Sequence, residues 1–166
     1  MKRSVCRHRG FTLVEVLIAS GVLAFAVAAI MQAVVAGQMQ TYEALHNWRG
    51  LCLVEAMLEE VLRLPYNDPQ GGASPGPDAG ETNRSNYDNS DDYHGYSEAS
   101  GSVADVAGAA YGDKFSVFSR SVTAAYTQQT VPGMGSPVDG LQVTVTVTDD
   151  RGMTWSITRF IPEPVS

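Results

Sequence analysis

Hydrophobic residues follow three successive rhythms along the chain. From residue 16 to residue 36 they run almost without a break: VLIASGVLAFAVAAIMQAVVA contains no charge. In a helix, at about 1.5 Å per residue, it is long enough to cross a hydrocarbon layer of about 30 Å. From residue 45 the rhythm becomes helical, with Leu45, Trp48, Leu51, Cys52, Val54, Leu58, Val61 and Leu62 recurring in steps of three and four. That spacing predicts an amphipathic helix with one packed face. No proline interrupts residues 11–64, so both stretches predict a single helix of 54 residues, ended by Pro65. Gly21, Gly37 and Gly50 are the expected points of bending or local melting.

The third rhythm is alternation. Leu141, Val143, Val145 and Val147 alternate with Gln142, Thr144, Thr146 and Thr148, which predicts a half-buried strand. Asp149, Asp150, Arg151 and Gly152 read as a turn, and Met153, Trp155 and Ile157 alternate back with Thr154, Ser156 and Thr158 to complete a hairpin. An earlier strand is expected at about 114–127, before a loop at Pro132, Gly133, Met134 and Gly135. Three antiparallel strands laid on the helix at 45–64 would close a small α+β core holding Trp155, Val143, Val145, Val147, Leu58 and Val61. Between helix and strands, 25 of the 38 residues at 65–102 are Gly, Pro, Ser, Asn or Asp, with one base against seven acids. This reads as a long acidic connection with little core of its own. The expected organisation is thus a basic segment at 1–10, a helix at 11–64, the loop at 65–102 and a β-rich head at 103–166.

Charge adds direction. The chain carries 11 bases and 18 acids, a formal −7, but Lys2, Arg3, Arg7 and Arg9 all precede the apolar run. The positive-inside rule then puts the N-terminus in the cytoplasm and everything beyond about residue 37 outside. The remaining seven bases against eighteen acids exclude an electrostatic nucleic-acid binder. Of two cysteines, Cys6 and Cys52, only Cys52 lies beyond the basic start, so no intrachain disulfide is expected in a processed chain.

Glu15 stands at the mouth of the apolar run, where insertion of a carboxylate is costly. A secretory signal cut after Val34, Val35 and Ala36 would leave it unexplained, as would a plain signal anchor; snorkelling to headgroups is the simplest alternative. The local sequence Arg9, Gly10, Phe11, Thr12, Leu13, Val14, Glu15 resembles the class III signal of type IV pilins and type II secretion pseudopilins. There a basic leader ends in Gly, the mature chain begins with Phe, and Glu is its fifth residue. The resemblance covers about residues 9–36. It implies that prepilin peptidase cuts between Gly10 and Phe11 and methylates the new amino group of Phe11. It also implies that Glu15 pairs with that ammonium on its own or a neighbouring copy. Physically, a new ammonium in low dielectric needs a carboxylate partner.

The fold implied is a pilin-like long helix, membrane-spanning at 16–36, packed on a small antiparallel sheet. The function implied is a minor pilin or pseudopilin of a type II secretion or type IV pilus-like filament. Its partners would be prepilin peptidase, other pilin or pseudopilin subunits, an assembly platform and the bacterial inner membrane.

No catalytic motif of the GxSxG, HExxH, P-loop or CxxC kinds occurs, and no enzyme activity is expected. The acidic loop offers Asp88, Asp91 and Asp92 as candidate Ca²⁺ ligands, without EF-hand spacing. The plainer expectation is a solvated loop whose Asp and Asn cap turns, with Tyr87, Tyr93 and Tyr96 pinning it to the head. Two other function classes are distinguishable. A membrane-tethered extracytoplasmic binding module would work as a soluble fragment, and a tethered hydrolase would depend on His94 beside Asp91 and Asp92.

Overall fold

A computed structural model describes residues 11–72, 74–130, 132–133 and 135–164. The basic segment, with Cys6, His8 and Gly10, lies outside the described residues, as does Met134 of the expected loop. The chain comprises two compact units, Met1–Leu45 and His46–Ser166. Helix α1, Leu13–Leu62, runs uninterrupted through all three glycines. Thr12 starts it: the Glu15 N–H donates to Thr12 Oγ1 (3.3 Å), and the Val16 N–H donates to the Thr12 carbonyl. This is the N-cap arrangement, which satisfies a donor that the first turn leaves open. At the other end the loop supplies the cap. Ser90 Oγ lies 3.0–3.2 Å from the carbonyls of Val61, Leu64 and Pro65, serving groups that no glycine C-cap serves here.

In the second unit the residues of α1 pack on an antiparallel sheet of four strands, β1 (Ser97–Glu98), β2 (Phe118–Gln129), β3 (Val138–Asp149) and β4 (Thr154–Pro162), in the order β1-β2-β3-β4. The α+β expectation holds, with corrections. A fourth, two-residue strand comes from the loop at 65–102, and the strand expected from residue 114 starts at Phe118 because Asp113–Phe115 forms a 3₁₀ turn. Asp149 builds the β3–β4 turn by accepting the N–H of Arg151 (3.0 Å) and of Met153 (2.7 Å), while Gly152 adopts φ +79°. That left-handed conformation favours glycine.

The helix buries His46, Gly50, Leu53, Val54, Met57, Leu58 and Val61. Trp48, Leu51 and Leu62, expected on the packed face, are exposed; at 100° per residue Trp48 points away from the stripe centred on Gly50 and Met57. Gly50 corrects the expectation most plainly. It is no bend: a Cβ there would meet the Trp155 ring at 2.5 Å, so the missing side chain is what seats the helix on β4.

β2 and β3 pair through 12 consecutive residues, and β3 and β4 through 9, without a bulge. Facing the helix are rows such as Val122, Val145, Ile157 and Tyr126, Leu141, Ile161. The opposite face carries Ser119, Thr148, Thr154 in one row, Ser97, Ser121, Thr146, Ser156 in the next and Thr123, Thr144, Thr158 in a third.

Candidate functional site

Over residues 16–36, α1 carries no charge on any side, and every residue of that stretch is exposed among the described residues. Phe25 is 79% exposed, and Val16, Leu17, Ile18, Val22, Leu23, Ile30 and Met31 are all exposed. A Cβ on Gly21 or Gly37 would meet nothing within 4 Å. By length and composition, α1 contains a stretch long and apolar enough to cross a membrane. Phe11 is exposed just ahead of Thr12, and Glu15 occupies the first turn, where a carboxylate is favoured by the helix dipole. Among the described residues Glu15 forms no ion pair. A family model described as the prokaryotic N-terminal methylation motif matches residues 6–31.

The chain carries a prepilin-type signal.

It places Phe11 and Glu15 within one motif and supports a type IV pilin-like or pseudopilin-like protein. No curated protein and no solved structure matches the chain. The His46–Ser166 unit is therefore read from its own geometry.

The loop at 65–102 does not stand in solvent as expected. Tyr93, Asn89, Ser90, Asp91 and Asp92 are buried, and Tyr87, Tyr93 and Tyr96 meet edge to face at 5.0–6.3 Å, so the tyrosines do pin it. Turn capping also occurs as expected: Asp92 Oδ2 accepts the N–H groups of Asp88 and Asn89, and Asn89 Oδ1 those of Asp91 and Asp92.

The three candidate Ca²⁺ ligands separate. Asp88 and Asp92 converge with Glu81, which the sequence reading missed, so that one oxygen from each lies within 4.8 Å of the others. Asp91 instead accepts the Tyr126 hydroxyl at 2.8 Å, and its second oxygen is buried without a partner among the described residues. Three carboxylates supply part of the six to eight oxygens that Ca²⁺ takes.

His94 does not pair with an aspartate. It is exposed, and its Nδ1 accepts the Ala124 N–H at 3.2 Å. Cys52 is half-buried; burial and then Glu55 push its thiol up, away from a reactive thiolate.

Charged side chains that no local pattern in the sequence singles out form a buried network. Arg84 Nε meets Glu60 at 3.0 Å and its Nη1 meets Glu98 at 3.0 Å, while Arg120 Nη2 meets the other Glu98 oxygen at 2.6 Å. The Tyr93 hydroxyl donates to Glu60 at 2.7 Å and the Tyr96 hydroxyl donates to Glu98 at 2.9 Å. Burial and the Glu98 hydrogen bond push Tyr96 up to about 12. Arg84 also donates to the carbonyls of Ala104 and Asp105, and Arg120 to those of Leu53 and Ala104. Helix, loop and sheet are thereby joined through two arginines and two glutamates.

A separate tie links His46 Nε2 to Asp149 Oδ2 at 2.8 Å, beneath Phe118 and Trp155. Burial acts to raise the Asp149 carboxyl, but the hydrogen bonds from His46, the Met153 N–H and Arg151 outweigh it and hold it at about 2, against an ordinary 3.8. The stability it contributes is complete above 3.8 and lost as pH falls toward 2.

Glu81 and Asp91 act oppositely. At Glu81 the Asp78 N–H draws the carboxyl down, but burial together with Asp92 and Asp88 prevails and raises it; at Asp91 burial leads. Their deprotonation costs stability as pH rises through the raised values. The melting temperature of the His46–Ser166 unit, followed by near-ultraviolet dichroism on the full chain, is thus expected to climb as pH falls from neutrality through the raised values of Glu81 and Asp91, and to drop as pH falls from 3.8 toward about 2. Glu81→Gln is expected to flatten the climb and leave the acid limb in place.

Proposed function

We propose that this chain is a minor pilin or pseudopilin: a subunit held in the bacterial inner membrane by residues 16–36, cleaved after Gly10, N-methylated at Phe11, and drawn into a type II secretion or type IV pilus-like filament. The methylation motif at residues 6–31, continuing into a helix with no intrachain cover, is the observation that carries this reading. Prepilin peptidase acts on the chain; the chain itself is structural. Repeated packing of equivalent helices in one orientation generates an open helical assembly, and residues 16–36 offer such a surface.

The test is intact-mass and N-terminal analysis of protein taken from membranes with and without prepilin peptidase. The expected product starts at N-methylated Phe11 only where the peptidase is present. A chain starting at Gly37, or at Met1 beside active peptidase, contradicts the proposal.

A further inference from the structure

On the membrane orientation proposed above, we infer that Asn83 is an acceptor for N-linked glycosylation, taking one oligosaccharide from a polyprenyl-diphosphate donor on the extracytoplasmic side. Asn83, Arg84 and Ser85 form the Asn-x-Ser acceptor pattern, with a residue other than proline at its centre. Glu81 stands two residues before the acceptor, where bacterial oligosaccharyltransferases read an acid as part of the same signal. The structure removes the ordinary reason for an asparagine here. Asn83 immediately precedes the 3₁₀ turn Arg84–Asn86, the position at which an Asn side chain commonly caps the turn, yet it makes no capping hydrogen bond. Its amide nitrogen reaches the adjacent Thr82 hydroxyl instead, at 3.4 Å, a long contact.

Asn83 and Ser85 are both exposed, whereas the Arg84 side chain between them is 9% exposed and held by Glu60 and Glu98. The buried middle residue thus turns outward the two residues that transfer requires. A cleft of about 480 Å³ opens beside them, with Tyr87, Tyr96, Ser102 and Val106 in its wall. Sugars joined to Asn83 find room there without disturbing the core, against tyrosine rings and hydroxyls that suit both their apolar faces and their polar edges. Because Glu81 and Arg84 are buried in the folded unit, the transferase reads this segment as the chain emerges, before the loop closes on the sheet. In the transfer, the Asn83 amide nitrogen forms a bond to the anomeric carbon of the first sugar while the bond from that carbon to the diphosphate oxygen breaks. The diphosphate leaves with the electron pair, and the amide nitrogen gives up one proton.

The full chain is produced in a bacterium supplied with prepilin peptidase, an oligosaccharyltransferase and a polyprenyl-diphosphate-linked oligosaccharide of known mass, beside an exported control acceptor. Intact mass of the membrane fraction is expected to show a species heavier by one oligosaccharide. That species should fall at least tenfold in Asn83→Gln and in Ser85→Ala, both exposed positions, and persist in Ser85→Thr, which keeps the hydroxyl. Protease added to spheroplasts reports which side the head occupies. Protease-accessible heads without the addition, while the control acceptor carries it, overturn the inference alone and leave the filament reading standing. Heads protected on the cytoplasmic side overturn both. An addition that survives Asn83→Gln, or that ignores Ser85→Ala, also overturns the inference, by placing the sugar elsewhere or by a different chemistry.

Discussion

Arg120→Ala is expected to destabilise the His46–Ser166 unit by about 3–5 kcal/mol, enough to unfold a domain of ordinary stability. Arg120 is 2% exposed, its Nε and Nη2 both reach Glu98 Oε2 at 2.6–2.7 Å, and its remaining donors serve carbonyls on the helix and the loop. Removing it strands part of a buried carboxylate and the carbonyls of Leu53 and Ala104 together. Denaturant titration of the full chain in micelles, read by near-ultraviolet dichroism, measures the loss. Arg120→Met combined with Glu98→Leu should recover most of it, because Arg84 then keeps Glu60 and no buried charge is left alone. A double variant no more stable than Arg120→Ala would show that the carbonyl contacts, and not the ion pair, dominate.

Glu15→Ala should act in the opposite place. Head folding is expected to change little, since a first-turn carboxylate contributes only about 0.3–1 kcal/mol through the helix dipole. Cleavage and membrane insertion should persist, while incorporation into filaments falls at least tenfold. Among the described residues Glu15 forms no ion pair, and in the proposed filament its partner is the Phe11 ammonium made by cleavage, its own or a neighbour's. Quantifying the protein in sheared filament and membrane fractions checks this. Parental amounts in the filament fraction would return Glu15 to the role of a helix-starting residue beside Thr12.

The residues proposed to act in assembly and those that hold the head together differ in how far the sequence discloses them. Gly10, Phe11 and Glu15 lie within six positions, and uncharged residues 16–36 need no partner to be recognised. Val143 to Val147 and the Asp149 turn are equally legible, because alternation and turn chemistry are local. The arginine network is not: Arg84 and Arg120 reach residues 14 to 67 positions away, and the strand that brings Glu98 beside Arg120 has only two residues, too few to show a period. Glu81 is illegible in the sequence for a related reason. Its approach to Asp88 and Asp92 depends on a loop fold set by Asn89, Ser90 and the tyrosines, none of which alternates or repeats.

Gly50 acts as a notch. Moving the helix one turn along the sheet would bring His46 or Val54 over the Trp155 ring, and each carries the Cβ for which that ring leaves no room. The helix therefore has one index position on β4. Tension applied at residue 46 should shear the seat as a whole rather than ratchet it turn by turn, so a subunit under load would keep its head in register until that seat gives way.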